Sequence, residues 1–122
     1  MRKKILICDR FSLESLHLLG SQNYFDIIKV DPLFLKSSAD LSTAEALLIR
    51  SRAQIDSELL NQAKILQVII TATSGFDHID LEATQKWGIT VMNTPSANRE
   101  SAAQLTLTMM LALNHRLLEA QR

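Results

Sequence analysis

The run Leu66-Gln67-Val68-Ile69-Ile70-Thr71, continuing into Ala72-Thr73-Ser74-Gly75-Phe76-Asp77, decides the fold class. Its first half is apolar, short and rich in β-branched residues. Its second half is a turn crowded with hydroxyl groups. The same arrangement recurs twice upstream. Lys4-Ile5-Leu6-Ile7-Cys8 ends in Asp9-Arg10, and Ala46-Leu47-Leu48-Ile49 ends in Arg50-Ser51-Arg52. Near-continuous apolar runs of this length predict strands covered on both faces by helices, and therefore a parallel sheet.

The intervening segments agree. Ser12 is placed to cap a helix through about Leu19, with Leu13, Leu16 and Leu19 on one face and Gly20 past its end. Phe25 to Val30 reads as a second strand, stopped by Asp31-Pro32 because the residue before proline is pushed into extended or turn geometry. Leu33 to Thr43 reads as polar and irregular, with one helical turn. Asp56 caps a helix over 57–63, and Asp80 caps a short one from Leu81 to Lys86, closed by Gly88. Ile89-Thr90-Val91-Met92 is the fifth strand, and a long helix follows from about Glu100 to Ala120. This order predicts an α/β fold: a flavodoxin-like, doubly wound, parallel five-stranded sheet plus a long C-terminal helix.

Composition bounds the function. A chain of 122 residues with 47% hydrophobic residues supports one real core and is neither disordered nor collagenous. Thirteen basic and thirteen acidic residues give a net charge of zero, without the basic excess of a protein that coats nucleic acid. The longest apolar region, Leu105 to Leu113, falls short of the roughly 20 residues of a membrane span. The single cysteine, Cys8, forms no internal disulfide and reads as a buried small hydrophobe, and the basic start at Met1-Arg2-Lys3-Lys4 lacks a signal-peptide core behind it; both point to the cytoplasm. Gly20, Gly75 and Gly88 stand too far apart for a dinucleotide fingerprint or a phosphate-binding loop. His17, His78 and His115 lack metal-ligand spacing, and a lone loop histidine such as His78 reads as structural or solvated rather than catalytic.

In a parallel sheet the polar turns after each strand share one edge. Arg50, Ser51 and Arg52, the Thr71–Asp77 turn, and Asn93 to Arg99 then converge. Guanidinium forks and loop amides together suit a small anion such as a carboxylate or phosphate. The alternative for each arginine is a salt bridge to a neighbouring loop. Gly75 is expected to supply a backbone conformation at positive φ, which only glycine enters freely.

Three segments in order, Leu48-Ile49-Arg50-Ser51-Arg52, Thr71-Ala72-Thr73-Ser74-Gly75-Phe76-Asp77-His78-Ile79-Asp80 and Gly88-Ile89-Thr90-Val91-Met92-Asn93-Thr94-Pro95-Ser96-Ala97-Asn98, resemble the D-isomer-specific 2-hydroxyacid dehydrogenases, nearest the 3-phosphoglycerate and erythronate-4-phosphate branch. The resemblance implies a substrate-binding domain over residues 1–98, then the interdomain crossing and first helix of an NAD-binding domain over 99–122. It implies that Arg50, Ser51, Arg52, Gly75 and Asn98 bind the substrate, a small 2-hydroxy or 2-oxo acid with or without a phosphate. It implies hydride transfer between C2 of that acid and NAD or NADP in a full-length enzyme. The family's catalytic arginine, carboxylate and histidine and its cofactor loop would all lie after residue 122. This chain alone is then inactive, with no catalytic, cofactor-binding or metal residue of its own. Gln104 stands where the family usually has Glu, which puts a local helix-start hydrogen bond in doubt.

The last helix carries Ala102, Ala103, Leu105, Leu107, Met109, Met110, Leu111, Ala112, Leu113, Leu117 and Leu118 in nearly every direction around its axis. Such a helix needs cover on more than one side, which predicts a homodimer through residues 100–120, in line with the family's dimer interface. A stand-alone small-anion binding or regulatory module is the competing function. A phospho-receiver domain is set aside because Arg50, not an aspartate, ends the third strand.

Overall fold

A computed structural model describes residues 1–120; Gln121 and Arg122, which end the expected second segment, and the Leu118 side chain lie outside the described residues. Five strands, β1 (Lys3–Cys8), β2 (Phe25–Val30), β3 (Ala46–Ile49), β4 (Val68–Thr71) and β5 (Thr90–Met92), alternate with helices α1 (Leu13–Gly20), α2 (Ser57–Gln62), α3 (Leu81–Lys86), α4 (Arg99–Asn114) and α5 (Leu117–Ala120). The strand order is β2-β1-β3-β4-β5 and every pairing is parallel. This is the flavodoxin-like, doubly wound α/β arrangement expected from the sequence.

The core lies on one face of the sheet. Leu6 and Cys8 of β1, Leu47 and Ile49 of β3, and Ile69 of β4 pack with Leu35, Leu41, Leu59 and Leu60, all at 2% exposure or less. Side chains alternate along a strand, so Ile5 and Ile7, Leu48 and Ile70, and Met92 belong to the opposite face. There the cover is uneven. Ile5 and Ile7 are buried, Leu48 and Ile70 are half-buried, and Met92 is 53% exposed. The apolar runs of β3 and β4 are thus not sealed on both sides, contrary to the sequence reading. The topology gives the reason. Right-handed crossovers put only the β1–α1–β2 connection on that face and the other three on the core face.

Local signals mostly act as read. Ser12, Asp56 and Asp80 accept from the backbone N–H groups of Ser15, Leu59 and Ala83 at 3.2, 2.9 and 3.0 Å, each offsetting an unsatisfied first-turn donor. Gly20 differs from expectation. It is the last helical residue, and Ser21 caps α1 at φ −69°. Of the three leucines assigned to the inner face of α1, Leu13 is 84% exposed and only Leu16 and Leu19 are half-buried. The segment before β3 is more ordered than its polarity suggests. Asp31 caps a 3-10 turn over Pro32–Ser37 through the Leu33 N–H at 2.9 Å, and Ser38 caps a second over Ala39–Thr43 through Asp40 N–H. These turns deliver Leu35 and Leu41 to the core, each 1% exposed.

The long C-terminal helix is broken. α4 runs 16 residues, about 24 Å at 1.5 Å each, and stops where Arg116 turns left-handed at φ 49°. The Arg116 N–H caps the Leu113 carbonyl at 3.1 Å, and the chain restarts as α5. Every residue from Arg99 to Leu111 is exposed, so α4 projects from the body of the sheet.

Gly88 is where glycine matters most. At φ 68° it follows the Trp87 cap of α3. Its N–H reaches Gln85 O at 3.1 Å, and the next N–H, of Ile89, reaches Thr84 O at 2.9 Å, completing a Schellman stop. A Cβ there would touch nothing within 4 Å, so the penalty for alanine is conformational alone. Gly88→Ala is expected to destabilise the chain by about 1 kcal/mol; urea unfolding checks it, and an unchanged midpoint contradicts the cap.

Candidate functional site

Parallel pairing sends four strand exits to one edge. The register Ile7↔Leu48, Leu48↔Ile70 and Ile70↔Met92 brings the ends of β1, β3, β4 and β5 level. The turns beyond them are then tied to one another. The Ala72 N–H donates to Ile49 O at 2.9 Å, and the Thr94 N–H to Thr73 O at 3.0 Å. Asn93 Nδ2 donates to Ser74 O at 2.8 Å. The turn after β3 loops back and pairs with the one after β4. Ile55 N–H donates to His78 O at 2.9 Å, and Asp80 N–H to Ile55 O at 2.8 Å.

His78 anchors this edge from beneath. It is 7% exposed, and its Nε2 lies 2.9 Å from Thr71 Oγ1, which in turn lies 2.7 Å from Thr73 Oγ1. Two otherwise buried polar groups satisfy each other. Of the two readings the sequence left for this ring, structural or solvated, the burial matches the first.

The expected binding residues all sit on this edge. Arg50, Ser51, Arg52, Gly75 and Asn98 are exposed and follow the carboxyl ends of β3, β4 and β5. Asn98 precedes α4 but makes no side-chain cap. Its Oδ1 instead accepts from Ser74 Oγ at 2.8 Å, which draws the amide toward the turn after β4. Ser74, whose carbonyl Asn93 holds in turn, is thus what fixes Asn98, and neither was named as a binding residue from the sequence. Their signal was only membership in the polar turns after strands.

One expectation needs correcting. Gly75 is not at positive φ; among the glycines only Gly88 is. A Cβ on Gly75 would meet the Asp77 carboxylate oxygen at 3.3 Å, and its carbonyl accepts from Thr73 Oγ1 at 2.6 Å. Backbone handedness is therefore not what a side chain at this position would meet; its one near neighbour is the exposed Asp77 carboxylate. The two arginines also do not act alike. Arg50 Nη1 donates to the Arg10 carbonyl at 3.3 Å. Arg52 Nη1 lies 3.6 Å from Asp9 Oδ1, the neighbouring-loop salt bridge that the sequence left open. Asp9 holds φ 112°, a conformation that costs an L-residue of order 1–3 kcal/mol.

The clefts at this end of the sheet are not lined by Arg50, Gly75 or Asn98. A cleft of about 290 Å³ lies at the ends of β1 and β2, lined by Asp9, Arg10, Lys29, Asp31 and Arg52 among others. A smaller apolar hollow of about 190 Å³ lies beside the β4 and β5 turns, among Phe76, Leu81, Val91 and Asn93. The edge formed by Arg50, Gly75 and Asn98 is an open rim.

No group of three potential metal ligands occurs among the described residues. No strand-to-helix turn carries the clustered glycines that let a pyrophosphate approach the backbone; the β1–α1 turn is Asp9-Arg10-Phe11-Ser12. No helix among the described residues is long and apolar enough to cross a membrane.

Residues 5–119 match the profile of the D-isomer specific 2-hydroxyacid dehydrogenase, catalytic domain. The chain belongs to this family. It is 45% identical over 82 residues, 67% of this chain, to D-3-phosphoglycerate dehydrogenase of Sus scrofa, of which it spans 15%. Its fold is similar to the TT0316 protein from Thermus thermophilus, with a TM-score of 0.86 and 29% identity over 96% of this chain and 38% of that one. It is also similar to D-lactate dehydrogenase from Aquifex aeolicus complexed with NAD and lactic acid, with a TM-score of 0.72 and 29% identity over 93% of this chain and 34% of that one. The chain therefore spans a minor part of the relatives that it matches.

Beneath the rim, Cys8 is fully buried. Burial pushes its thiol up to about 12, and the Asp9 and Asp31 carboxylates add to the rise. A thiol held protonated is no nucleophile. Iodoacetamide at pH 8 is expected to leave the folded chain unmodified and to label Cys8 only in denaturant, as read by intact mass.

Proposed function

We propose that this chain supplies the substrate-binding domain of an NAD- or NADP-dependent D-2-hydroxyacid dehydrogenase of the phosphoglycerate dehydrogenase kind. Residues 1–98 form that domain. Residues 99–122 form the crossing and the first helix of the cofactor-binding domain. The observation that carries the reading is the joining of four strand exits by direct hydrogen bonds, with an exposed arginine and an oriented asparagine among them.

In this reading Arg50 pairs with an anionic group of a small 2-hydroxy or 2-oxo acid, phosphorylated or plain. A guanidinium fork matches two oxygens at once. The Arg10 carbonyl holds one end of that fork and lowers the entropy lost on binding. Asn98, held through Oδ1 by Ser74, keeps its amide N–H groups for a ligand oxygen. The turn at Gly75 lets the ligand lie close to the backbone, and Ser51 offers a hydroxyl on the same rim. None of these groups moves a hydride, and the described residues build no nicotinamide site, so the chain by itself binds the acid without oxidising it. It works in the cytoplasm.

A second copy is the proposed cover for α4. Leu105, Leu107, Met109, Met110 and Leu113 are all more than half exposed, and no charged residue occurs between Ser101 and Asn114. Thr106 and Thr108 turn their hydroxyls back to Ala102 O and Gln104 O, each at 2.8 Å, leaving the surface more apolar still. A contiguous patch of this kind marks an interface.

Titration calorimetry with D-glycerate and with D-3-phosphoglycerate tests the site. Arg50→Ala is expected to weaken binding by about tenfold or more, the size of a lost charge-assisted pair, with thermal stability within about 0.5 kcal/mol. Equal affinity in the variant contradicts the reading. Light scattering tests the interface: a dimer is expected, and Leu107→Glu with Met110→Glu should give monomers. A wild-type chain that stays monomeric at high concentration removes this part of the proposal.

A further inference from the structure

The turn after β1 grips the two arginines of the β3 exit in different ways. Asp9 presents a carboxylate whose side chain is only 7% exposed, 3.6 Å from the Arg52 guanidinium. The same Oδ1 accepts the Arg10 N–H at 2.8 Å, and the Arg10 carbonyl receives Arg50 Nη1 at 3.3 Å. Arg52 therefore meets a charge, whereas Arg50 meets a neutral carbonyl. Among the described residues no carboxylate pairs with Arg50. Asp9 holds this geometry at φ 112°, a left-handed conformation that aspartate and asparagine tolerate better than most side chains.

Resting on the reading of the rim as a hydroxy-acid site, we infer that Asp9 is a positioning and specificity-determining residue: it neutralises Arg52 and withholds it from the ligand, so that the acid is met by the single uncompensated guanidinium of Arg50. The reason is the cost of separating the pair. An anion that drew Arg52 away would strand a nearly enclosed carboxylate without its cation. It would also bring a second negative charge beside that carboxylate. One carboxylate bound at Arg50 avoids both penalties. A ligand carrying a further anionic group gains nothing from Arg52 while Asp9 is ionised. Asp9 thus limits how much negative charge this end of the rim accepts.

The test is a mutant cycle on the full chain, read by calorimetry with D-glycerate and D-3-phosphoglycerate, which share a carbon skeleton and differ by the phosphate. Arg52→Ala is expected to change neither affinity by more than about twofold. Asp9→Asn, which keeps the backbone conformation accessible, releases Arg52; it should tighten D-3-phosphoglycerate by about fivefold and leave D-glycerate within about twofold. The gain should vanish in the double variant Asp9→Asn with Arg52→Ala. A purely structural Asp9 would shift the melting temperature without moving the ratio of the two affinities. An Arg52→Ala loss near tenfold for either acid, or an Asp9→Asn gain that survives without Arg52, overturns the inference and leaves the Arg50 site standing. Absence of binding by the wild-type chain overturns the site reading and this inference with it.

Discussion

The ladder Ile7–Leu48–Ile70–Met92 governs the rest of the molecule. Because every strand points the same way, every strand must hand its chain to the same edge, and each return must cross a face of the sheet. Hydrophobic burial of Leu6, Leu47, Ile49 and Ile69 against the 3-10 turns, α2 and α3 holds the ladder in register. A slip by one residue would turn those side chains to the other face. The polar rim is therefore a consequence of core packing.

That division of labour explains the strained and tied groups at the edge. Turns that leave a sheet together carry unpaired donors and acceptors, and these must find partners or water. Here they find each other: Asn93 with Ser74, Ser74 with Asn98, Thr94 with Thr73, and Arg50 with Arg10. The network satisfies the backbone and also sets the direction of the two groups best suited to an anion. In the proposed site, structural satisfaction and readiness for a ligand would come from the same hydrogen bonds.

The partly open second face follows from the strand order. A sheet of order β2-β1-β3-β4-β5 with right-handed crossovers sends a single helix to one side. Over β3 to β5 that side is left half-covered, and α4 leaves the body instead of closing it. The apolar residues of α4 then have no cover within the described chain.

Much of this was legible in the residues themselves. Strands announced themselves by β-branched runs, helix starts by Ser12, Asp56 and Asp80, and the α3 stop by Gly88, because these are local effects of backbone sterics and capping. The family was legible in three ordered motifs. The tertiary structure decided what depends on neighbours distant in sequence. It separated Arg50 from Arg52, since only the folded turn after β1 brings the Asp9 carboxylate to one and the Arg10 carbonyl to the other. It put Gly75 outside positive φ, broke the last helix at Arg116, and left the second face of the sheet half-covered over β3 to β5. Propensity and capping act over a few residues, whereas charge pairing and burial act across the fold, and sequence order does not encode those distances directly.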